Sequence, residues 1–387
     1  MSDLFGEKGE KKVEYLELIY DLIFVYLIGR NNALLHSVEN GFFTGNTFLT
    51  YLLSTMVILQ IWYFSSVYIN RYGSNGVGDH IFLFVNMYLL YYLADGIRAD
   101  WDGSFARYNV AWGLLLLNHA LQYFRQLRCG KVRPPWEQKH LRYHMWLLVA
   151  QALIVFAAIP IYARTRFPLS WLTLVFGFVA SAFTRRTDEL VPVNPEHLTE
   201  RVMLFVVFTF GESIVGLAEY FEGGFSFSTV YFSLAAFLIV VGLFVSYGFL
   251  YNRVIDRERA NLDTGYMLIH IVLIVALNNI TVAMEFMRQP EIGAVAKNVF
   301  IVSSFLAYYI FMFFIGHYAK EELRAGIRFF GKLILLSLAF VLIMVLIYRN
   351  SWLSIAASVL YVYAMFAMIV LHWRKVTRGK ADEPTGA

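Results

Sequence analysis

Long apolar segments recur along almost the whole chain, and only short polar stretches separate them. A helix that crosses the hydrocarbon core of a bilayer needs about 20 residues, and twelve segments come close to that length. They cover residues 14–36, 47–70, 80–97, 106–125, 143–163, 168–184, 200–219, 227–251, 264–286, 298–318, 329–348 and 351–373. The pattern predicts an all-α polytopic membrane protein with about twelve transmembrane helices.

The composition supports this fold class. Hydrophobic residues make up 59% of the 387 residues and charged residues 16%, whereas a soluble domain has about 25% charged residues. A β-barrel is disfavoured because its strands alternate apolar and polar positions, and residues 333–348 are almost entirely apolar. We expect no cleavable signal in the polar first twelve residues. The single cysteine, Cys129, allows no intrachain disulfide.

The basic residues predict the orientation. If the N-terminus is cytoplasmic, 24 of the 32 Lys and Arg residues lie in or near the cytoplasmic tails and loops, and seven lie near the other side. Cytoplasmic loops carry such an excess, so we expect both termini in the cytoplasm and the protein in the inner (plasma) membrane. The most basic loop, 125–142, suits anionic lipid headgroups, and no nucleic-acid site is expected there.

Two similar segments predict an internal repeat. Glu17 and Glu200 are 183 residues apart, and so are Glu39 and Glu222 in the turns that follow the two spans. Six spans separate the copies, so both have the same orientation, as in transporters built from parallel repeats. We therefore expect a cytoplasmic tail (1–12), two parallel six-helix halves (13–186 and 187–374) and a second cytoplasmic tail (375–387).

Charged residues within the spans are the first functional candidates, because a charge in the bilayer is costly unless it is paired or hydrated. Glu14, Glu17 and Asp21 share one helix face at positions i, i+3 and i+7. Asp21 lies about 10 Å deeper than Glu14 at 1.5 Å per residue, so it needs a partner or a wet interior. Arg30 is expected to form an ion pair, with Glu212 as a natural partner, or to bind an anionic solute.

The second half holds further candidates. A buried Glu212 without a partner could carry a proton. Asn278 and Glu285 share a face of the ninth span, where they line a polar pathway or join helices by hydrogen bonds. Glu200 and Arg201 are expected to form an interfacial pair at the start of the seventh span. The predicted transport or proton pathway comprises Glu17, Asp21, Arg30, Glu200, Glu212, Asn278 and Glu285.

Three segments resemble the low temperature requirement protein A (LtrA) family of bacterial membrane proteins. They are Glu17-Leu18-Ile19-Tyr20-Asp21-Leu22-Ile23-Phe24-Val25, then Trp62 with Asn70-Arg71-Tyr72, and finally His197-Leu198-Thr199-Glu200-Arg201 with Phe205 and Gly211-Glu212-Ser213. The resemblance implies a multi-pass bacterial membrane protein. The family name describes growth in the cold and not a chemistry. The chain departs from the family pattern at Arg30, where an uncharged continuation is expected, and at residues 73–76, where an acidic cluster is usual.

These patterns favour a secondary transporter or permease for a small solute. Proton coupling is assigned to Glu212 and Asp21, with Glu17 and Glu200 at the cytoplasmic entrance. A membrane-embedded enzyme acting on lipid or isoprenoid substrates is the first alternative, and an ion channel or a membrane sensor scaffold is the second. The expected partners are membrane lipids, an unidentified small solute and protons, without nucleic acid.

No cofactor or metal is expected. His140 and His144 have the i, i+4 spacing of metal ligands, but the sequence supplies too few further ligands, so interfacial histidines are the preferred interpretation. Walker, HExxH and GxSxG motifs are absent from the sequence, and each of these would carry a specific catalytic chemistry. An enzyme is therefore the less favoured class.

Overall fold

A computed structural model describes residues 13–98, 101–129, 133–182, 193–221, 224–257 and 264–381. These residues form twelve α-helices at the positions that the apolar pattern predicts, which confirms the all-α fold. The helices are α1 Tyr15–Asn32, α2 Gly45–Tyr72, α3 Val77–Asp95, α4 Trp101–Arg128, α5 Pro135–Thr165, α6 Ser170–Ala182, α7 Pro195–Gly216, α8 Phe227–Phe249, α9 Thr264–Phe286, α10 Ala294–Ile315, α11 Ile327–Ile347 and α12 Ser351–Ala381. Short 3₁₀ turns follow α7 and α10, and a π-helical turn, Leu250–Val254, follows α8.

Within the described ranges, nine of these helices are long and apolar enough to cross a membrane. The other three have identifiable reasons for falling short. Helix α1 carries Glu17, Asp21 and Arg30 within 18 residues, α4 carries polar residues along its length, and α6 has only 13 residues. The number of spans and the cytoplasmic position of the termini stay predictions.

Two helices begin with the same kind of turn and cap. The side chain of Thr44 accepts a hydrogen bond from a backbone N–H of α2, and that of Ser226 does the same for α8, which satisfies a donor at each helix start. Gly41 and Gly224 precede these caps with φ of 86° and 83°, a conformation that glycine adopts without steric cost. Gly41 and Gly224 are 183 residues apart, which is the offset of the predicted repeat. Its other marker, Glu222, lies outside the described residues, and the repeat stays a prediction.

The chain forms two compact units. Unit 1 takes its residues from 1–37, 43–205 and 260–264, and unit 2 from 38–42, 206–259 and 265–387. Unit 1 therefore contains α1–α6 and the first half of α7, and unit 2 contains the second half of α7 and α8–α12. The boundary between the two units lies inside α7, after residue 205. The two six-helix halves, 13–186 and 187–374, stay a prediction.

Aromatic packing and buried amide hydrogen bonds hold unit 1 together. Phe105 of α4 stacks on Tyr162 of α5 with ring centroids 3.8 Å apart. The buried Asn31 of α1 donates to the Tyr51 carbonyl at 2.8 Å and to the Thr55 hydroxyl at 2.6 Å. Interhelical hydrogen bonds of this type contribute roughly 0.6–2 kcal/mol in a membrane. They fix α1 against α2 and so position the carboxylates that α1 carries.

Unit 2 is built around α8, α10, α11 and α12. The Tyr308 hydroxyl of α10 donates to the Leu243 carbonyl of α8 at 3.0 Å. Phe340 of α11 stacks on Tyr361 of α12 with centroids 4.1 Å apart. Gly242 of α8 allows α12 to approach closely, since a Cβ there would lie 2.5 Å from the Val362 side chain.

Replacing Gly96 by alanine should destabilise unit 1. An added Cβ would lie 2.8 Å from the Cα of Tyr108, and Tyr108 is fully buried, so the backbone of α4 must shift. Overpacking of this kind costs about 1–3 kcal/mol. Thermal unfolding of the purified protein in detergent should therefore show a lowered midpoint. Gly45→Ala is the matched control, because a Cβ at Gly45 meets no atom within 4 Å; equal midpoints for the two variants would contradict the prediction.

Candidate functional site

A buried ion cluster joins α1 to the first half of α7 in unit 1. Arg201 donates from Nη1 to Oε2 of Glu17 at 2.8 Å and from Nη2 to Oδ1 of Asp21 at 2.9 Å. Its Nε also donates to Oδ2 of Asp21 at 3.3 Å. All three side chains are at most 2% exposed. Glu17 and Asp21 are one helical turn apart, so the planar guanidinium can reach both carboxylates with separate donors.

The expectation that Arg201 forms an interfacial pair with Glu200 is wrong. Arg201 turns instead toward α1, and Glu200 accepts a hydrogen bond from the backbone N–H of Val13 at 3.4 Å. The physical reason is the register of α7, because adjacent residues of a helix point about 100° apart. Arg201 shares its face with His197, four residues earlier, and not with Glu200.

Helix α2 supplies a further donor to Asp21. Nε1 of Trp62 donates to Oδ1 of Asp21 at 2.9 Å, and the indole stacks on Phe205 with centroids 4.4 Å apart. Trp62 is fully buried. Asp21 thus accepts three hydrogen bonds, close to the roughly four that an ionised carboxylate can accept. The three donors fix the orientation of the Asp21 carboxyl group.

The tautomer of His197 follows from its neighbours. Asn194 lies just before α7, and its side chain accepts from the His197 backbone N–H at 3.1 Å. Asn70 of α2 accepts from the Asn194 N–H at 2.8 Å and donates to the Asn194 carbonyl at 3.0 Å, which determines the orientation of the Asn70 amide. Its Nδ2 then donates to Nδ1 of His197 at 3.1 Å. The imidazole proton therefore lies on Nε2, which faces Oε1 of Glu17 at 3.4 Å.

A small cavity adjoins this cluster. It has a volume of about 20 Å³, and Glu14, Glu17, Asp79 and His80 contribute to its wall. A water molecule needs about 10–15 Å³ and two to four polar partners, so the cavity has room for one water beside Glu17. Glu14 and His80 face each other at 3.7 Å, with side chains about one-third exposed. The cavity therefore lies between the buried Glu17 and the surface of the unit.

A second group of polar contacts lies in unit 2, where the end of α7 packs on α9. The hydroxyl groups of Ser213 and Thr281 are 2.7 Å apart. One turn further, Glu285 lies beside Gly216, because a Cβ at Gly216 would be 3.8 Å from Oε1 of Glu285. Asn278 is buried on the same helix as Thr281 and Glu285. The predicted residue Glu285 thus lies at this helix–helix contact, and Asn278 is buried about two turns earlier on the same helix.

Two other predicted residues lie apart from these contacts. Glu212 is half-buried and forms no hydrogen bond or ion pair with another described side chain. Arg30 is exposed in the last turn of α1. The pairing of Arg30 with Glu212 stays a prediction.

One of the two histidines considered as metal ligands has protein partners. His140 contacts the Tyr72 hydroxyl at 2.8 Å and the Arg71 guanidinium at 3.2 Å.

The charged cluster is assembled from all three segments of the sequence that resemble one family. Glu17 and Asp21 come from the first segment, Trp62 and Asn70 from the second, and Arg201 with its neighbours from the third. The sequence model of the bacterial low temperature requirement A protein (LtrA) family matches residues 12–371, nearly the whole chain. The chain belongs to the LtrA family. No curated protein shows a significant match to it.

One departure from the LtrA pattern has a structural counterpart. The residues 73–76 carry no acidic side chain, but Asp79 in the first turn of α3 accepts hydrogen bonds at 2.8 Å from both the N–H and the hydroxyl of Ser74. Arg125 of α4 pairs with the same carboxylate at 2.6 Å. A Cβ at Gly78 would lie 2.4 Å from this guanidinium, so the glycine leaves the space that Arg125 occupies.

Proposed function

We propose that this LtrA-family membrane protein is a secondary transporter or permease for a small solute, driven by protons, in the inner (plasma) membrane with both termini in the cytoplasm. The observation that supports this most is the buried cluster in which two carboxylates share one guanidinium. Ionisable residues buried within membrane segments are rare, and they commonly mark ion or proton pathways.

In this proposal, the net charge of the cluster couples proton binding to transport. Counted over Glu17, Asp21, Arg201 and a neutral His197, the net charge is −1, and one added proton brings it to zero. The added proton does not bind to His197. Its Nδ1 accepts a hydrogen bond from Nδ2 of Asn70, and a proton on Nδ1 would set two donors against each other. The proton therefore goes to a carboxylate.

Glu17 is the carboxylate that fits this role best. Asp21 is fully buried and held by three donors, whereas Glu17 lines the water-sized cavity that leads toward Glu14 and His80. The depth of Asp21 in the predicted span favoured Asp21 for the exchangeable proton. The contacts described here favour Glu17, one turn earlier in α1. In this proposal Asp21 acts as the fixed counter-charge of Arg201.

Protonation of Glu17 also has a mechanical effect. It removes the charge from one of the two carboxylates that hold Arg201, so the attraction between α1 and α7 weakens while the Asp21–Arg201 pair remains. A proton can thereby change how firmly α7 is tied to α1, which is what a carrier needs in order to couple proton binding to movement. We place Glu212, Asn278 and Glu285 along a solute or proton pathway in unit 2. In unit 1 we place Glu200 with Glu17 at the cytoplasmic entrance, and we assign Arg30 to an ion pair or to an anionic solute.

The test uses proteoliposomes loaded with the pH dye pyranine and exposed to a panel of amino acids, organic acids and sugars. We expect a solute-dependent acidification with the unmodified protein, and at least a tenfold slower signal with Glu17→Gln. Glu196→Gln is the control, since Glu196 is exposed on the first turn of α7 and should leave the rate unchanged.

Several outcomes would reject the proposal. They are the absence of any solute-dependent proton movement, an unchanged rate in Glu17→Gln, and unchanged uptake in Glu212→Gln together with Asp21→Asn. Rapid proton or ion flux without added solute would favour the channel alternative instead.

A further inference from the structure

Unit 2 contains a large apolar cavity at the ends of four helices. It lies where α8 and α10 end, α11 begins and the last turns of α12 pass. Its volume is about 350 Å³, within the range of about 300–1,000 Å³ that is usual for ligand sites. The wall is mostly aliphatic and aromatic and includes Met312, Phe313, Phe329, Phe330, Ile369 and Val376. Such a wall suits a hydrocarbon chain and not a polar solute.

Basic residues lie in and near the wall of this cavity. Arg324 and His317 line it and are exposed, and Lys332 and Lys375 are close enough to act electrostatically on His372, another residue of the wall. The exposed Glu321 and Glu322 belong to the neighbouring turn but not to the wall. The described wall therefore combines an apolar interior with basic groups at one end.

Two polar groups of the wall have no partner. Nε2 of His372 and Nε1 of Trp373 are buried, and neither forms a hydrogen bond with any described residue. A buried donor left without an acceptor costs about 1–3 kcal/mol, so ligand oxygens in the cavity would satisfy groups that the protein leaves open. Both residues lie near the end of the α12 span, at the level where aromatic and basic residues meet lipid headgroups.

We propose that this cavity binds an anionic phospholipid of the surrounding bilayer, with an acyl chain inside and the phosphate at the mouth. The glycerol ester and phosphate oxygens accept from the Trp373 and His372 N–H groups, and Arg324 with the nearby lysines neutralises the phosphate. Basic pockets between membrane helices bind anionic headgroups in this way. In the predicted orientation this end of the helices faces the cytoplasm, so the lipid comes from the cytoplasmic leaflet. The site is independent of the proton pathway.

The test is native mass spectrometry of the intact protein with dioleoyl phosphatidylglycerol or dioleoyl phosphatidylcholine, which carry the same chains. We expect phosphatidylglycerol to be retained at least tenfold more tightly. Gly316 lines the cavity, and a Cβ there meets no atom within 4 Å, so Gly316→Leu should fill the cavity and lower retention at least tenfold. Gly331→Leu is the matched control, because Gly331 is exposed, has the same open surroundings and does not line the cavity.

A second variant tests the headgroup alone. Arg324→Gln should reduce the preference for phosphatidylglycerol over phosphatidylcholine and leave the retention of phosphatidylcholine unchanged. Equal retention of the two lipids by the unmodified protein would overturn the proposal, and so would Gly316→Leu behaving like Gly331→Leu. If Gly316→Leu does not fold, an unchanged lipid preference in Arg324→Gln would by itself overturn it.

Discussion

Arg201→Gln should strongly destabilise this protein. It would leave Glu17 and Asp21 buried one turn apart without their shared cation. Removing one partner from a buried ion pair costs about 3–5 kcal/mol, because the remaining charge stays buried without compensation. We expect a strongly reduced yield of folded protein and a lower thermal midpoint in detergent.

Two further variants distinguish the loss of this buried ion cluster from the general effect of removing an arginine. Arg107→Gln removes a pair with Asp95 in which both side chains are about half exposed, so it should lower the thermal midpoint far less than Arg201→Gln does. The neutral triple variant Glu17→Gln/Asp21→Asn/Arg201→Met should recover most of the lost stability, since no unpaired charge remains. A triple variant as unstable as Arg201→Gln would contradict the electrostatic explanation.

Trp62 is expected to give the second large effect. Trp62→Ala removes a fully buried indole that stacks on Phe205, and such truncations cost about 3–5 kcal/mol. Trp62→Phe keeps an aromatic ring but loses the N–H that donates to Asp21, a hydrogen bond to a charged group worth about 1.5–3 kcal/mol. Thermal unfolding should therefore rank Trp62→Ala below Trp62→Phe and both below the unmodified protein.

Trp112 offers a matched control for the hydrogen bond. It is also fully buried, but its indole nitrogen has no hydrogen-bond partner among the described residues. Trp112→Phe therefore removes the same atoms without leaving a carboxylate short of a donor, and its midpoint should fall less than that of Trp62→Phe. Equal shifts for the two variants would show that the Trp62 N–H contributes little.

The helices could be predicted from the sequence because a helix in contact with lipid must itself be apolar, which is a local property of its segment. Apolar runs of about 20 residues are visible without knowing what they pack against, and the twelve observed helices follow them. Glu17 and Asp21 also stood out locally, since carboxylates are costly in an apolar run. Their depth and shared face correctly indicated that Asp21 needs a partner.

The identity of that partner could not be predicted in the same way. Which helices contact each other depends on packing between distant segments, and a single sequence contains no direct record of it. Arg201 lies next to Glu200, so the adjacent opposite charges suggested a local pair. The available signal was its spacing, because Arg201 lies four residues after His197 and both face α1. Trp62 and Asn70 stood out only through their resemblance to the family segment, and that resemblance does not indicate which residues they contact.

The length of chain between the partners has a consequence for biogenesis. Glu17 and Arg201 are 184 residues apart, and at about 5–20 residues per second a ribosome needs roughly 9–37 s to make that stretch. During this interval the first helix contains two carboxylates whose arginine has not yet been synthesised. We therefore expect the nascent α1 to occupy a hydrated or protein-lined place until α7 emerges, and aqueous labelling of chains truncated before Arg201 would test this.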